Sequence, residues 1–373
     1  MIKSIEIKNF KSHKHTDLQL GNLSVLCGQN GVGKSSLIQS FLLLRQTESK
    51  NRLDTILDLN SPLCFIGKTK DALYLYPDKE ENLAIQFRLS DGDIGYTWTF
   101  DASNESTFLN RINPLSESDG YESLPLFGNL FQYISAARAA NYQTDNYAVE
   151  VMRQISISQG KGELTAQFLE HYAKRLRVDS ALLHSMESDP YLLSQTTAWE
   201  REISTGVNVI PISIGSGYEV RFSFNDATLG ETDHFSSDNV GFGLSYALPI
   251  IVAILSAEPG ALLLIENPEA HLHPYGQSKI AELICLAAQL GIQILVETHS
   301  DHIINGILVQ CKRFESYGKG IDKDLLRIYS FERDEEHHVT VPVEVSVGSK
   351  GRLMNRPNTF FDQIGRDIKY MIN

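Results

Sequence analysis

Residues 28 to 35 read Gly28-Gln29-Asn30-Gly31-Val32-Gly33-Lys34-Ser35, the spacing G-x-x-x-x-G-K-[ST] of a loop that cradles phosphates. The glycines let successive backbone N–H groups turn toward an anion. Lys34 offers a point charge to β- and γ-phosphates, and the Ser35 hydroxyl can ligate Mg²⁺. Asn30, Gly31, Gly33 and Ser36 complete the expected cradle. A second chemical position follows the apolar run Ala261-Leu262-Leu263-Leu264-Ile265, which ends in Glu266-Asn267-Pro268-Glu269. Ligands in parallel sheets bind at the carboxyl ends of strands, so Glu266 is expected beside a Mg²⁺ held by Ser35, the Walker B role normally filled by Asp. A third run, Ile292-Gln293-Ile294-Leu295-Val296, ends in Glu297-Thr298-His299-Ser300. It places His299 on the same edge, where a neutral imidazole can sense a γ-phosphate or an attacking water.

These residues need a sheet and helices to hold them. Leu23-Ser24-Val25-Leu26-Cys27 is a short apolar run suited to a buried strand, and Leu37, Ile38, Phe41, Leu42 and Leu44 recur at helical spacing. Strand, glycine loop and helix is the context that aims a helix N-terminus at an anion. Before the loop, Ile2, Ile5, Ile7, Phe10, Leu18 and Leu20 outline two strands. Leu83–Leu89 and Tyr96–Phe100 alternate around Ser90-Asp91-Gly92-Asp93 and predict an antiparallel hairpin. Residues 141–202 carry a helical pattern and read as an insertion. A strand pair, Val207–Ile212 and Tyr218–Phe222, follows it. The last third returns to α/β, with helices near Leu244–Leu255 and Gln277–Leu290 flanking the two apolar runs.

The 373 residues suffice for one large domain or two modest ones, and 42 % hydrophobic with 21 % charged residues is ordinary for a globular chain. No stretch approaches the roughly eighteen apolar residues of a membrane span, and the N-terminus does not read as a signal peptide, so a cytoplasmic location without membrane partners is expected. The four cysteines are widely spaced, which indicates neither a disulfide framework nor a zinc site. A net charge of −13 argues against a surface broadly adapted to nucleic acid. Two local basic clusters remain candidates for DNA contact: Lys8, Lys11 and Lys14 with His13 and His15, and Lys174, Arg175 and Arg177.

Asn9-Phe10-Lys11-Ser12, the phosphate loop through Ser36, Leu264-Ile265-Glu266-Asn267-Pro268-Glu269-Ala270-His271-Leu272-His273-Pro274 and Glu297-Thr298-His299-Ser300 together resemble the ABC-type ATPase heads, with the SMC, RecF and OLD-like ATPases nearest in pattern. Asn358-Thr359-Phe360-Phe361-Asp362-Gln363 resembles the C-terminal module of a bacterial ATPase group often found beside phage-defence genes. The resemblance implies an α/β ABC-ATPase head with a mixed P-loop core sheet, an antiparallel β-subdomain and a helical insertion. Its expected parts are an N-terminal lobe over 1–140, a helical insertion and strand pair over 141–235, and a C-terminal lobe over 236–373.

It also implies ATP and Mg²⁺ as ligands, with ATP sandwiched between two copies in a homodimer or higher oligomer. The second copy contributes a signature loop, for which Val240-Gly241-Phe242-Gly243-Leu244-Ser245 is the candidate through Gly241 and Gly243. The signature serine position falls at Gly241, with Ser245 a turn later. Lys11 and Ser12 match positions near adenine and ribose. Arg138, in Tyr133-Ile134-Ser135-Ala136-Ala137-Arg138, contacts phosphate or pairs structurally. His271 and His273 have the form of a metal pair, but the resemblance puts them in the loop between protomers.

The position after the Walker B acid, where these ATPases usually carry the glutamate that polarises water, is Asn267, and an amide cannot accept that proton. Glu269 is either its substitute or a structural acid. Slow hydrolysis is the expectation, because phosphoryl transfer depends mainly on positioning and charge. The leading functional expectation is an ATPase whose nucleotide-driven dimerisation controls a partner in phage defence. Related OLD-like enzymes carry a Toprim nuclease after the head, and no acidic nuclease cluster follows His299, so the effector is expected on another polypeptide. The alternatives are a RecF/SMC-like repair ATPase acting directly on DNA and a hydrolysis-deficient nucleotide sensor.

Overall fold

The computed structural model describes residues 1–76, 83–113, 120–138, 142–226, 228, 230–355, 357 and 369–372. The segment Asn358–Gln363, to which the sequence assigned a C-terminal module, lies outside the described residues. A six-stranded sheet forms the centre. Its order is Phe131–Ile134, Leu262–Glu266, Gln293–Thr298, Leu23–Gly28, Leu326–Asp334 and Val339–Glu344. The first five strands run parallel and the last is antiparallel, which makes the sheet mixed.

Side chains alternate across a strand, and here the alternation separates two cores. Leu263, Ile265, Ile294, Val296, Val25 and Cys27 face one apolar cluster. Leu262, Leu264, Leu295, Leu26 and Phe331 face the other. Both sets are buried, which is why these strands read as continuous apolar runs. The first cluster is covered by the helices Thr165–Tyr172, Phe242–Ser256 and Pro274–Leu290, together with the hairpin Val207–Ile214 and Gly217–Asp226. The second lies under the helix Lys34–Glu48 and a four-stranded antiparallel sheet, ordered His13–Gln19, Ser4–Phe10, Ala84–Asp91, Ile94–Asp101. The expected hairpin is thus present in register, with Phe87 opposite Trp98. The region 142–202 is less helical than its pattern predicts. Besides the helices Thr165–Tyr172 and Leu192–Glu200 it holds a π-helical turn at Tyr147–Val151 and much irregular chain, in which apolar side chains pack without a regular period.

The phosphate loop is braced from behind. Gly28 sits at φ 132°, and a Cβ there would collide with the Phe331 carbonyl on the neighbouring strand. Gly33 opens the helix at φ 101°, where a Cβ would meet Thr340 and Ser12. Thr340 donates to the Val32 carbonyl at 2.9 Å and contacts the Ser12 hydroxyl at 2.7 Å. His13 Nε2 lies 3.0 Å from the Gly33 carbonyl, and its Nδ1 lies 2.9 Å from the Thr16 hydroxyl. The carbonyl can only accept, so Nε2 carries the proton and Nδ1 accepts from Thr16.

This placement corrects the first basic cluster. His13 is fully buried, Lys8 and His15 both pair with Glu6, and Lys11 donates to Gln39. In the second cluster Arg175 meets His171, and Arg177 lies over the Tyr191 ring. Burial pulls the His13 pKa from 6.5 down to about 4. Between those values the unfolded chain binds a proton that the folded chain refuses, so stability falls as pH falls through that window. Urea unfolding is expected to show a loss of about 2 kcal/mol between pH 7 and pH 5 that is missing from a His13→Gln variant.

Candidate functional site

A cavity of about 320 Å³ opens at the carboxyl ends of the parallel strands, lined by Ser12, Asn30, Gly31, Gly33, Lys34, Ser35, Ser36, Ala136, Glu266, Asn267, Glu297 and His299. Its floor follows from strand order. The strand Gln293–Thr298 pairs with Leu23–Gly28 on one side and with Leu262–Glu266 on the other, and Glu266 is the register partner of Glu297. The helix Lys34–Glu48 begins without a side-chain cap, so its first backbone N–H groups remain available at the cavity.

Lys34 is almost wholly buried and folds back on its own loop, donating to the Gly28 and Gln29 carbonyls at 3.0 and 2.6 Å. Burial lowers its pKa, and Glu297 is the largest influence in the opposite direction. Ser35 donates to Glu297 Oε1 at 2.8 Å, while the buried Oε2 of the same carboxylate has no partner among the described residues. Burial, with repulsion from Glu266 next, pushes the Glu297 pKa up to about 7. Glu266 accepts from the Tyr133 hydroxyl at 3.1 Å and from the Ala136 N–H at 3.2 Å. Burial raises its pKa too. A buried carboxylate, Glu297, and a half-buried one, Glu266, with a serine hydroxyl form a donor set that suits an oxygen-loving divalent cation.

Asn267 turns the chain away from the strand at φ 43°, a left-handed conformation that asparagine tolerates. Its N–H donates to the Glu297 carbonyl at 2.8 Å. Arg138 clamps this turn from below. Its guanidinium donates to the carbonyls of Ser135, Glu266 and Asn267 at 2.7, 2.8 and 2.7 Å. Of the two uses open to Arg138, the structure displays the structural one. Glu269 does not line the cavity. One of its oxygens accepts from the Thr298 hydroxyl and the other from the His299 N–H, each at 2.8 Å. His299 reaches the rim, its pKa lowered by burial and by Lys34.

Lys11 lies outside the cavity with its ammonium on Gln39, whereas Ser12 is on the wall. Gly241 and Gly243 stand at the start of the helix Phe242–Ser256 and do not line the cavity. Gly243 packs against the His271 carbonyl, Phe242 is 65 % exposed, and Ser245 contacts the Ser237 carbonyl. His271 packs against Phe242 and Tyr246, while His273 caps the helix Pro274–Leu290, so the alternating pair is divided between two tasks.

Glu297 and Tyr133 are the residues that motif reading passed over. Glu297 ends an apolar strand as Glu266 does, and the same signal could have found it. The Tyr133 contact crosses 133 positions of chain and leaves no local mark. Arg138→Met removes three hydrogen bonds from a charged donor and is expected to cost about 3 kcal/mol in chemical denaturation.

Residues 23–305 match the family model described as "AAA domain, putative AbiEii toxin, Type IV TA system". The OLD nuclease of Thermus scotoductus is 22 % identical over 95 % of this chain and 67 % of its own length. The Old nuclease of Escherichia phage P2 is 21 % identical over 83 % of this chain and 59 % of its own. A DNA double-strand break repair Rad50 ATPase of Saccharolobus solfataricus is 32 % identical over 83 residues, 21 % of this chain and 10 % of that protein. The chain therefore spans about two thirds or less of the length of these curated relatives. Among solved structures, an SMC head bound to the C-winged helix domain of ScpA matches with a TM-score of 0.56 at 14 % identity, over 92 % of this chain and 98 % of that one. An SMC head with an extended coiled coil, bound to the C-terminal domain of ScpA derived from Pyrococcus furiosus, matches with a TM-score of 0.53 at 11 % identity, over 100 % of this chain and 99 % of that one. At these identities the likeness establishes the ABC-ATPase head fold.

Proposed function

The chain belongs to this AAA-domain family, an ABC-type ATPase family of the SMC, RecF and OLD kind, and from that premise we propose a slow ATP-driven switch. ATP binding closes two copies around the nucleotide, hydrolysis releases them, and the closed pair regulates a separately encoded effector in anti-phage defence within the cytoplasm. The observation that carries this reading is that the phosphate-loop cavity and the glycine-opened helix at Gly241 do not meet within one chain. Gly241 has open space about it and Phe242 is exposed, so a second copy can bring that helix start to a γ-phosphate. We assign the lobes as 1–140, 141–235 and 236–373. The OLD relatives are named nucleases, which supports a nuclease as the effector.

Within the cavity we assign Asn30, Gly31, Gly33, Lys34 and Ser36 to the phosphates, with Ser35 and Glu266 holding Mg²⁺. A Mg²⁺ held by these residues would neutralise charge on the phosphates. Lys34 exchanges its carbonyl partners for phosphate oxygens, and His299 monitors the γ-phosphate side. Asn267 cannot take the proton of an attacking water, and both oxygens of Glu269 are engaged. Glu297, which lines the cavity and accepts from Ser35 through Oε1, is the carboxylate we assign to that task.

Three variants separate these roles. Lys34→Ala is expected to weaken ATP binding about 100-fold, about 2.7 kcal/mol, and to stay folded. Light scattering should find the wild type self-associated only with Mg²⁺ and ATP, and Lys34→Ala not at all. A wild-type chain that stays monomeric under saturating nucleotide, alone and with its effector, defeats the switch. For the chemical step, Glu297→Gln is expected to lower steady-state turnover about 100-fold or more while ATP affinity holds. Turnover in Glu269→Gln should fall by less than tenfold, in step with lost stability. The reverse ranking would return the base to Glu269.

A further inference from the structure

Against the strand Phe131–Ile134, on the face that carries Phe131 and Tyr133, lies a second cavity, of about 300 Å³, that none of the nucleotide chemistry uses. Phe131, Tyr133, Tyr147, Met152 and Ile157 make its wall largely apolar, and Arg45 from the helix Lys34–Glu48 brings a cation into it. A concave apolar wall with few polar groups is the usual form of a small-molecule site.

Arg45 is the informative residue. Its guanidinium stacks on the Phe131 ring at 5.4 Å and donates no hydrogen bond to any described residue. Glu48, a turn further on, supports its charge without pairing to it, and Glu48 itself accepts from Tyr121. The other charges on the wall have partners. Lys50 is held by Asp58 and Ser61, and Asp145 accepts from the Ala148 N–H at 2.9 Å. A guanidinium has five N–H donors and loses much hydration when it lines an apolar hollow, so an arginine left this way favours an anion. The π-helical turn Tyr147–Val151, a form that recurs at functional sites, makes part of the rim.

The wall also touches the nucleotide site. Tyr133 presents its ring to this cavity, and its hydroxyl donates to Glu266 Oε1 at 3.1 Å. Gly160, at φ 66°, lets a loop lie flat on the same ring, where a Cβ would come within 2.6 Å. The ring therefore has little freedom to move without moving the bond to Glu266.

We propose that this cavity is an effector site for a small amphipathic anion, an apolar body bearing one carboxylate, sulfonate or phosphate, bound through Arg45 and sensed at the nucleotide site through Tyr133. The body packs on Phe131, Tyr133 and Met152, and the anionic end takes the free donors of Arg45. The sensing half rests on the ATPase reading above, while the binding half stands without it.

The test uses the full chain saturated with Mg²⁺ and ATPγS, so that no probe enters the phosphate loop. Anilinonaphthalene sulfonate and its uncharged relative N-phenylnaphthylamine are titrated by fluorescence. One saturable site for the sulfonate is expected, weakened at least about tenfold in Arg45→Met with the uncharged probe changed less than about twofold. Met152→Trp, which fills the cavity, should abolish both. In a separate titration of ATPγS into the nucleotide-free wild type, the sulfonate should shift ATPγS affinity by about threefold or more, and linkage requires the reciprocal shift. Tyr133→Phe keeps the ring, loses the hydroxyl, and should erase that coupling while still binding the probe. Equal loss of both probes in Arg45→Met, unaltered binding in Met152→Trp, or no saturable site overturns the site. Coupling that survives Tyr133→Phe overturns the sensing. Probe binding retained in Lys34→Ala keeps a failure of the ATPase reading distinguishable from a failure of this one.

Discussion

Three parallel strands that end level with one another carry the chemistry of this protein. Backbone pairing holds Leu23–Gly28, Gln293–Thr298 and Leu262–Glu266 side by side, and so sets Ser35, Glu297 and Glu266 around one point. A slip of one residue in any pairing would send these side chains to the other face. The register is protected by burial on both faces, because each strand alternates between two full apolar cores. The glycine loop then needs only bracing, which Phe331, Thr340 and His13 supply from elements on either side.

The site is electrostatically costly in the arrangement observed. Two carboxylates share a buried end of the sheet, and both are displaced upward, chiefly by desolvation. Lys34 is pulled the other way by its own burial and spends its donors on loop carbonyls. Such a site gains from a ligand that brings a cation to the acids and anions to the lysine, which is what a metal–nucleotide complex does. Arg138 stabilises the same region without facing the ligand. It holds three carbonyls of the turn that carries Asn267, and so fixes where the chain leaves the sheet.

The edge strand Phe131–Ile134 links this centre to the rest of the molecule. One of its residues, Tyr133, reaches Glu266 with its hydroxyl and a separate cavity with its ring. Tyr133 is in register with Leu264 and so shares a face of the sheet with Glu266, two residues on, which lets one side chain touch both sites while Glu266 satisfies its hydroxyl.

The amino-acid sequence alone determined the phosphate loop, the strand and helix around it, the antiparallel hairpin, and the two apolar runs that end in Glu266 and in Glu297-Thr298-His299. These are local patterns, readable because a strand repeats every two residues and a loop's glycines sit at fixed spacing. Only the tertiary structure decided which acids share the cavity. Glu269, two residues from the site in sequence, is occupied by Thr298 and His299, while Glu297 faces inward beside Ser35. It also decided that His13 is a buried brace and no part of a basic surface, and that Arg138 grips carbonyls. Each of those outcomes depends on strands that are distant in the chain and adjacent in the sheet, and no residue's neighbours in sequence carry that information.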